Sequence, residues 1–300
     1  MLFGVLGFSY DNSGTKRRSF DQSGTFSANL GDNMQTLAVR HLYAKLGVPA
    51  NRIVRVDRDT LASYAGPPVV LPMNGVIPKT SLPVSPQVRP LWIGFHASAD
   101  TIDTHRTWLR GQGVIGCRDP ATVARLHAAG CAAEVSGCLT FSLAERKKLP
   151  GLDAGRVLII TGHGASAVPP EAVKAMPDEL LERAEFVFQR RAMTEYPLSG
   201  TAQDGNERIA AQLLTRYRKQ ALLVITSLHH AAAPCIASGI PTVVIRREPS
   251  DRFGFMETLL PVHTSGFAAI DWTPEPVDLT AVRAAQMRRL KALVAPYLQV

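Results

Sequence analysis

Residues 221–245 constrain the fold of this chain more than any other stretch. An apolar run, residues 221–225, ends in Thr226-Ser227-Leu228 and two adjacent histidines, His229 and His230. A small-residue helical run follows, then Gly239-Ile240-Pro241 and a second apolar run, residues 242–245. That order predicts strand, loop, helix, turn and strand, one βαβ unit of a parallel sheet. The histidines then fall at the carboxyl end of a buried strand, where open α/β sheets bind ligands. Imidazole titrates nearest neutrality, which suits either histidine to proton transfer. The plainer alternative is that one caps the helix and the other packs.

The same alternation runs along the whole chain. Apolar runs predict strands at 2–8, 53–56, 69–71, 91–95, 114–115 and 134–135, with helical spacing at 33–46 and 121–129. The second half repeats the pattern, with strands at 157–161, 186–188, 222–226, 243–245 and 268–270 and helices at 207–219 and 280–297. Two such series predict an α/β chain of two Rossmann-like parallel-sheet domains facing a cleft, residues 1–150 and 151–300. The boundary falls at the Pro/Gly-rich segment 150–155, and the last helix can cross back onto the first domain. Two turn-forming sequences, 11–15 and 21–25, echo each other within what reads as a mobile loop after the first strand.

Bulk properties exclude several classes. With 300 residues and 46% hydrophobic content, the chain can bury one large or two medium cores. No apolar run is long enough for a membrane span, and residues 1–8 read as a first strand, not a signal peptide. Four cysteines without a CxxC pair or His/Cys ligand spacing indicate neither a metal site nor disulfides, which fits a cytoplasmic setting. The net charge of +8 is scattered and aromatics are 7%, so nucleic acid is not an indicated partner. Such a balance suits small anionic substrates, an anionic membrane face or an ordinary solvated surface alike.

Three further segments could carry chemistry. Asn29 or Asp32 can cap the helix that begins near residue 33, or Asp32 can turn into the cleft as a base. Arg118, in Gly116-Cys117-Arg118-Asp119, follows a strand and precedes Pro120, placed either to clamp an anion or to pair with Asp119. His163 lies between Gly162 and Gly164 after another strand, a setting open to close approach of a phosphate. No GxSxG or GxxxxGK[ST] is present, and residues 111–116, which match GxGxxG in spacing, run into a predicted strand instead of opening a helix, so serine-hydrolase, dinucleotide and P-loop readings have no support.

Taken in order, the segments resemble the polysaccharide pyruvyl transferase family. The resemblance rests on Asn29-Leu30-Gly31-Asp32 with Gln35 and Ala38, Arg58-Asp59, Met73-Asn74-Gly75, and the run from Pro86 to His96. It continues through Gly116-Cys117-Arg118-Asp119, Ser136-Gly137-Cys138, Thr226 to His230, and Gly239-Ile240-Pro241, covering residues 29–255. The family's fold is GT-B-like, and its members move the pyruvyl group of phosphoenolpyruvate onto sugar hydroxyls, commonly as a cyclic ketal.

The resemblance implies His230 as general acid, Asp32 as a base and Arg118 as the main anion clamp. Asn29, Ser227, His229, His163 and His96 are further substrate-binding candidates in the cleft. It implies no cofactor and no metal, phosphoenolpyruvate as donor, and a saccharide acceptor, free or lipid-linked at the inner membrane face. Leu228 stands where the family usually has arginine. Arg246, Arg247 and Arg252 follow the next strand and could replace that charge. A nucleotide-sugar glycosyltransferase and a non-catalytic saccharide-binding member are the competing readings, and the oligomeric state is left open.

Overall fold

A computed structural model describes residues 1–151 and 154–298. Part of the expected boundary segment, residues 152 and 153, lies outside the described residues. The architecture is mixed α/β, built on parallel sheets and consistent with a Rossmann-like, GT-B-like fold.

Two sheets arise from the first half of the chain. One has the strand order Ile53–Asp57, Leu2–Gly7, Val69–Pro72, Val88–Leu91, all parallel. The other runs Gly75–Val76, Phe95–His96, Ile115–Cys117, Ala133–Val135, also parallel. The expected strand 91–95 is therefore two strands in two sheets. The bend between them uses Gly94 at φ +72°, where a Cβ would lie 2.2 Å from Asn74 Oδ1. Hydrogen bonds carry the ladder across it, from Met73 N to Leu91 O and from Gly75 N to Gly94 O.

The second half forms a five-stranded parallel sheet, in the order Ala184–Phe188, Arg156–Thr161, Ala221–Thr226, Thr242–Ile245, Val262–His263. Its three central strands are Val/Ile-rich and almost wholly buried, as a sheet covered on both faces requires. Two expectations fail here and in the first half. Residues 268–270 are not a strand: Phe267–Ala269 is a 3₁₀ turn after Gly266, and Val262–His263 supplies the fifth strand. The alanine pair has little preference for a pleated surface. The expected loop after the first strand contains a helix, Gly14–Ser23, capped by Ser13 and stopped by Gly24 at φ +66°. It buries no residue, so it left no apolar period to read.

One short antiparallel ladder joins the halves, Phe26–Asn29 against Arg190–Met193. Immediately after it, the helix Leu30–Lys45 packs on the first sheet through Thr36 Oγ1 to Leu6 O and Tyr43 OH to Gly4 O. Its other side shares a core with the helix His229–Ala237 through Leu30, Met34 and Ala38. The last helix, Thr280–Leu298, sets Leu290 and Val294 against Phe3, Val5 and Leu91 of the first sheet. Among the described residues no helix is long and apolar enough to cross a membrane.

Candidate active site

The carboxyl end of the strand Ala221–Thr226 and the amino end of the helix Leu30–Lys45 meet at His230. Thr226 fixes the turn between strand and histidines: its hydroxyl donates to Ile160 O and accepts from Leu228 N. His229 opens the helix His229–Ala237, and neither imidazole caps it, since Leu228 is the N-cap. Gly31 permits the approach of the facing helix. A Cβ there would lie 2.8 Å from His230 Cβ, so any larger residue would force the two helix ends apart.

Asn29 caps the Leu30–Lys45 helix, accepting from Gly31 N, and its amide donates to Asp32 Oδ1 at 3.0 Å. Tyr10 closes the arrangement. Its hydroxyl donates to Asp32 Oδ2 at 3.2 Å and accepts from Asn29 N at 2.9 Å. Tyr10 is a non-glycine residue at φ +64°, a costly conformation held by its backbone N–H to Asp59 Oδ2 and by the hydroxyl contacts to Asn29 and Asp32.

His230 lies between opposite charges. Nδ1 is 3.7 Å from Asp32 Oδ1, and Nε2 is 3.4 Å from Arg118 Nη1. A guanidinium only donates, so Nε2 accepts and the ring proton sits on Nδ1, facing Asp32. Burial, then Arg118, His229, Arg252 and Arg58, push the His230 pKa well below the ordinary histidine value. His229 is shifted the same way, by burial first and then Arg118 and Arg252. Both imidazoles are neutral at neutral pH.

A cavity of about 130 Å³ opens beside them. Arg190, Arg246 and Arg252 line it, and no aspartate or glutamate does. Among the described residues Arg246 donates only to the carbonyls of Ser227 and Glu248, and Arg252 Nε is buried without a hydrogen-bond partner. Burial lowers the Arg252 pKa, and Arg118 lowers it further. Among the described residues none of the three forms an ion pair with a carboxylate, and guanidinium groups so placed around an enclosed space can take an anion.

The sequence candidates divide into three groups. His230, His229, Ser227 and Asn29 line the cavity, and Asp32 stands behind Asn29. Ser227 is a wall and not a free hydroxyl, because it donates to Ser166 O at 2.5 Å. Arg118 is fully buried and absent from the lining. It donates to Gln35 Oε1 at 2.6 Å and sits behind His230, so it faces the imidazole and not the open space. Nor does it pair with Asp119, which caps the Pro120–Ala128 helix and holds His96 Nδ1 at 2.7 Å. Burial opposes the Asp119 charge, but the hydrogen bond from His96 keeps its pKa below the usual carboxylate value. His96 is thereby committed to Asp119 and Thr122, outside the lining. His163 is exposed and also outside it, although Ser166 of the same loop is a wall.

Arg246 and Arg252 are in the cavity wall and Arg247 is exposed outside it. Arg190, Gln189 and Phe253 also line the cavity and were not legible as site residues. Tyr10 carried no signal at all. Cys138, His229 and His230 place ligand atoms within 4.8 Å of one another. Arg118 and Arg252 surround that triad with positive charge, which opposes a divalent cation there.

A family model described as polysaccharide pyruvyl transferase matches residues 94–249, just over half of the 300 residues. The match spans Arg118, both histidines and two of the three cavity arginines, Arg190 and Arg246. No curated protein matches the chain significantly.

Proposed function

Because the chain belongs to the polysaccharide pyruvyl transferase family, we propose that it moves the pyruvyl group of phosphoenolpyruvate onto two hydroxyls of a saccharide, closing a cyclic ketal. The observation that carries this reading is the cavity of three arginines without a carboxylate, adjoining a neutral His230. Phosphoenolpyruvate brings a phosphate and a carboxylate on three carbons, a compact polyanion that matches a small cationic space. A nucleoside diphosphate sugar is several times larger, which disfavours a glycosyltransferase.

Arg190, Arg246 and Arg252 hold the anionic groups of the donor. Its negative charge offsets the cationic field that, after burial, depresses His230, and the imidazole gains a proton as the donor binds. The imidazolium then protonates the methylene carbon, which becomes the methyl group, and C2 acquires cationic character. A sugar hydroxyl adds to C2 and passes its proton to a base, Asp32 or the newly neutral His230. A second hydroxyl forms the second C–O bond as the bond from C2 to the phosphate oxygen breaks. One hydroxyl proton replaces the proton given to the methylene, and the other leaves with inorganic phosphate. No organic cofactor or metal enters this sequence.

Leu228 lines the same cavity as Arg246 and Arg252, so the side chains that replace the usual family arginine come from the adjacent strand end. The acceptor is a saccharide chain, with a lipid-linked precursor at a membrane face as one form of it. Residues 1–150 then serve as the acceptor side and 151–300 as the donor side. The test is phosphate release from phosphoenolpyruvate against a panel of glycans. Release that requires both a glycan and His230 is expected; failure of the unaltered protein to bind phosphoenolpyruvate would overturn the reading.

A further inference from the structure

A second cavity lies apart from the arginine site and shares no lining residue with it. It is an open groove of about 790 Å³ between the strand Val88–Leu91 and the last helix. Trp92 and Trp108 line it, two of the three tryptophans in the chain, together with Tyr297. The two indoles meet edge to face at 5.9 Å, and Trp92 rests in turn on Phe95 at 5.1 Å. This stack fixes Trp108, half-buried, as the outer ring. Val114 stands beside it with 53% of its surface exposed.

Polar groups are fixed in the same wall. Arg289 donates to Trp92 O at 3.0 Å and pairs with Glu134, so its charge is balanced and its guanidinium held. Gln112 donates to Trp108 O at 3.2 Å, and Arg89 is exposed at the rim. The wall therefore alternates ring surfaces with planar hydrogen-bonding groups and has no single-sign field. An acyl chain would strand these polar groups, and a nucleic acid would need an excess of positive charge. A pyranose presents C–H faces to rings and hydroxyls to planar donors and acceptors, and it fits both halves of the lining.

Trp92 and Val114 precede the strands Phe95–His96 and Ile115–Cys117, whose carboxyl ends lead to His96 and Arg118. The groove thus lies at the amino ends of these two strands and shares no residue with the arginine cavity. We infer that the Trp92–Trp108–Tyr297 groove is a second, non-catalytic glycan site that anchors a stretch of the acceptor polymer away from its reacting unit. Anchoring raises the local concentration of acceptor hydroxyls without touching the donor. The choice of a glycan as occupant rests on the pyruvyl-transfer reading; the groove does not.

The experiment titrates neutral oligosaccharides of graded length into a Trp272→Phe protein, in which tryptophan emission reports the groove alone, with calorimetry in parallel. Emission should shift, affinity should rise with chain length, and Trp108→Ala should weaken binding about tenfold, as removal of a central aromatic anchor does. His230→Ala should bind as the parent does. If Trp108→Ala fails to fold, Arg89→Ala and Gln112→Ala take its place and should weaken binding in the same sense. Absence of binding by every oligosaccharide, or equal affinity in all groove variants, overturns the proposal. So does a dimer in solution that Arg89→Glu dissociates, since the groove would then be an interface between copies. Groove binding without any phosphoenolpyruvate turnover would uphold this site and sink the proposed reaction.

Discussion

Nη1 of Arg118 lies 3.4 Å from Nε2 of His230, and that arginine, fully buried, has Gln35 as its only other side-chain hydrogen-bond partner among the described residues. A guanidinium in the interior normally meets a carboxylate. Here it meets an amide oxygen and an imidazole lone pair, so its charge stays uncompensated and bears on the histidine. Burial first and then this arginine keep His230 neutral at rest, and the arginine's share of the shift is the part an arriving anion can offset.

His230→Gln is expected to fold, because the amide can occupy the same space and accept from Arg118. Turnover should fall by about 10²–10⁴-fold, the usual contribution of a general acid–base group, with donor affinity changed far less. Steady-state kinetics with circular dichroism check this. Turnover within a few-fold of the parent would reduce His230 to a packing residue.

Stability should fall below the ordinary histidine pKa of about 6.5. Both His229 and His230 are depressed in the folded chain, so below that value the unfolded chain binds protons that the folded one does not. Unfolding free energy then decreases as pH falls, by up to about 1.4 kcal/mol per pH unit for each imidazole. The contribution is fully present above the unfolded pKa and is lost as pH drops toward the folded ones. Urea denaturation between neutral pH and pH 5 checks it, with most of the slope gone in a His229→Leu, His230→Gln double variant. His41 and His263, shifted the same way but only half-buried, leave a residual slope.

Donor binding should consume protons near neutral pH. The incoming anion raises the depressed His230 pKa, so calorimetry in buffers of different ionisation enthalpy should show net uptake by the parent and none by His230→Gln. Equal enthalpies in all buffers would dissociate His230 from the donor.

How much of this was legible in the sequence follows from what each element is made of. The βαβ unit at 221–245 has a buried apolar strand on each side of a small-residue helix, and the structure repeats it closely. The Gly14–Ser23 helix buries nothing, so only Ser13 and Gly24 marked its ends. The ladder between Phe26–Asn29 and Arg190–Met193 pairs residues more than 160 positions apart, and each strand is only four residues long, too short for its pattern to announce itself. Pairing at that distance brings Arg190 to the cavity. Arg118 shows the opposite limit: its residue type and strand-end position were readable, but its orientation away from the open space depends on Gln35 and His230.

The last prediction concerns Leu228, which occupies the cavity wall with Arg246 and Arg252 close by. If those arginines hold the donor, Arg252→Ala should weaken phosphoenolpyruvate binding by roughly 1.5–3 kcal/mol, the scale of a charged hydrogen bond. Arg246→Ala should do the same and also loosen the turn, since it removes the donor to Ser227 O. Leu228→Arg should give little gain in the parent, because a fourth guanidinium enters a space already cationic and adds repulsion along with attraction. In the Arg252→Ala background the same substitution should recover most of the lost affinity, since the new side chain starts from the same wall. Titrating phosphoenolpyruvate into the parent, both single variants and the double variant checks all four expectations. Strong binding by Leu228→Arg alone, with none in the parent, would mean that this chain lost its donor site when it lost that arginine.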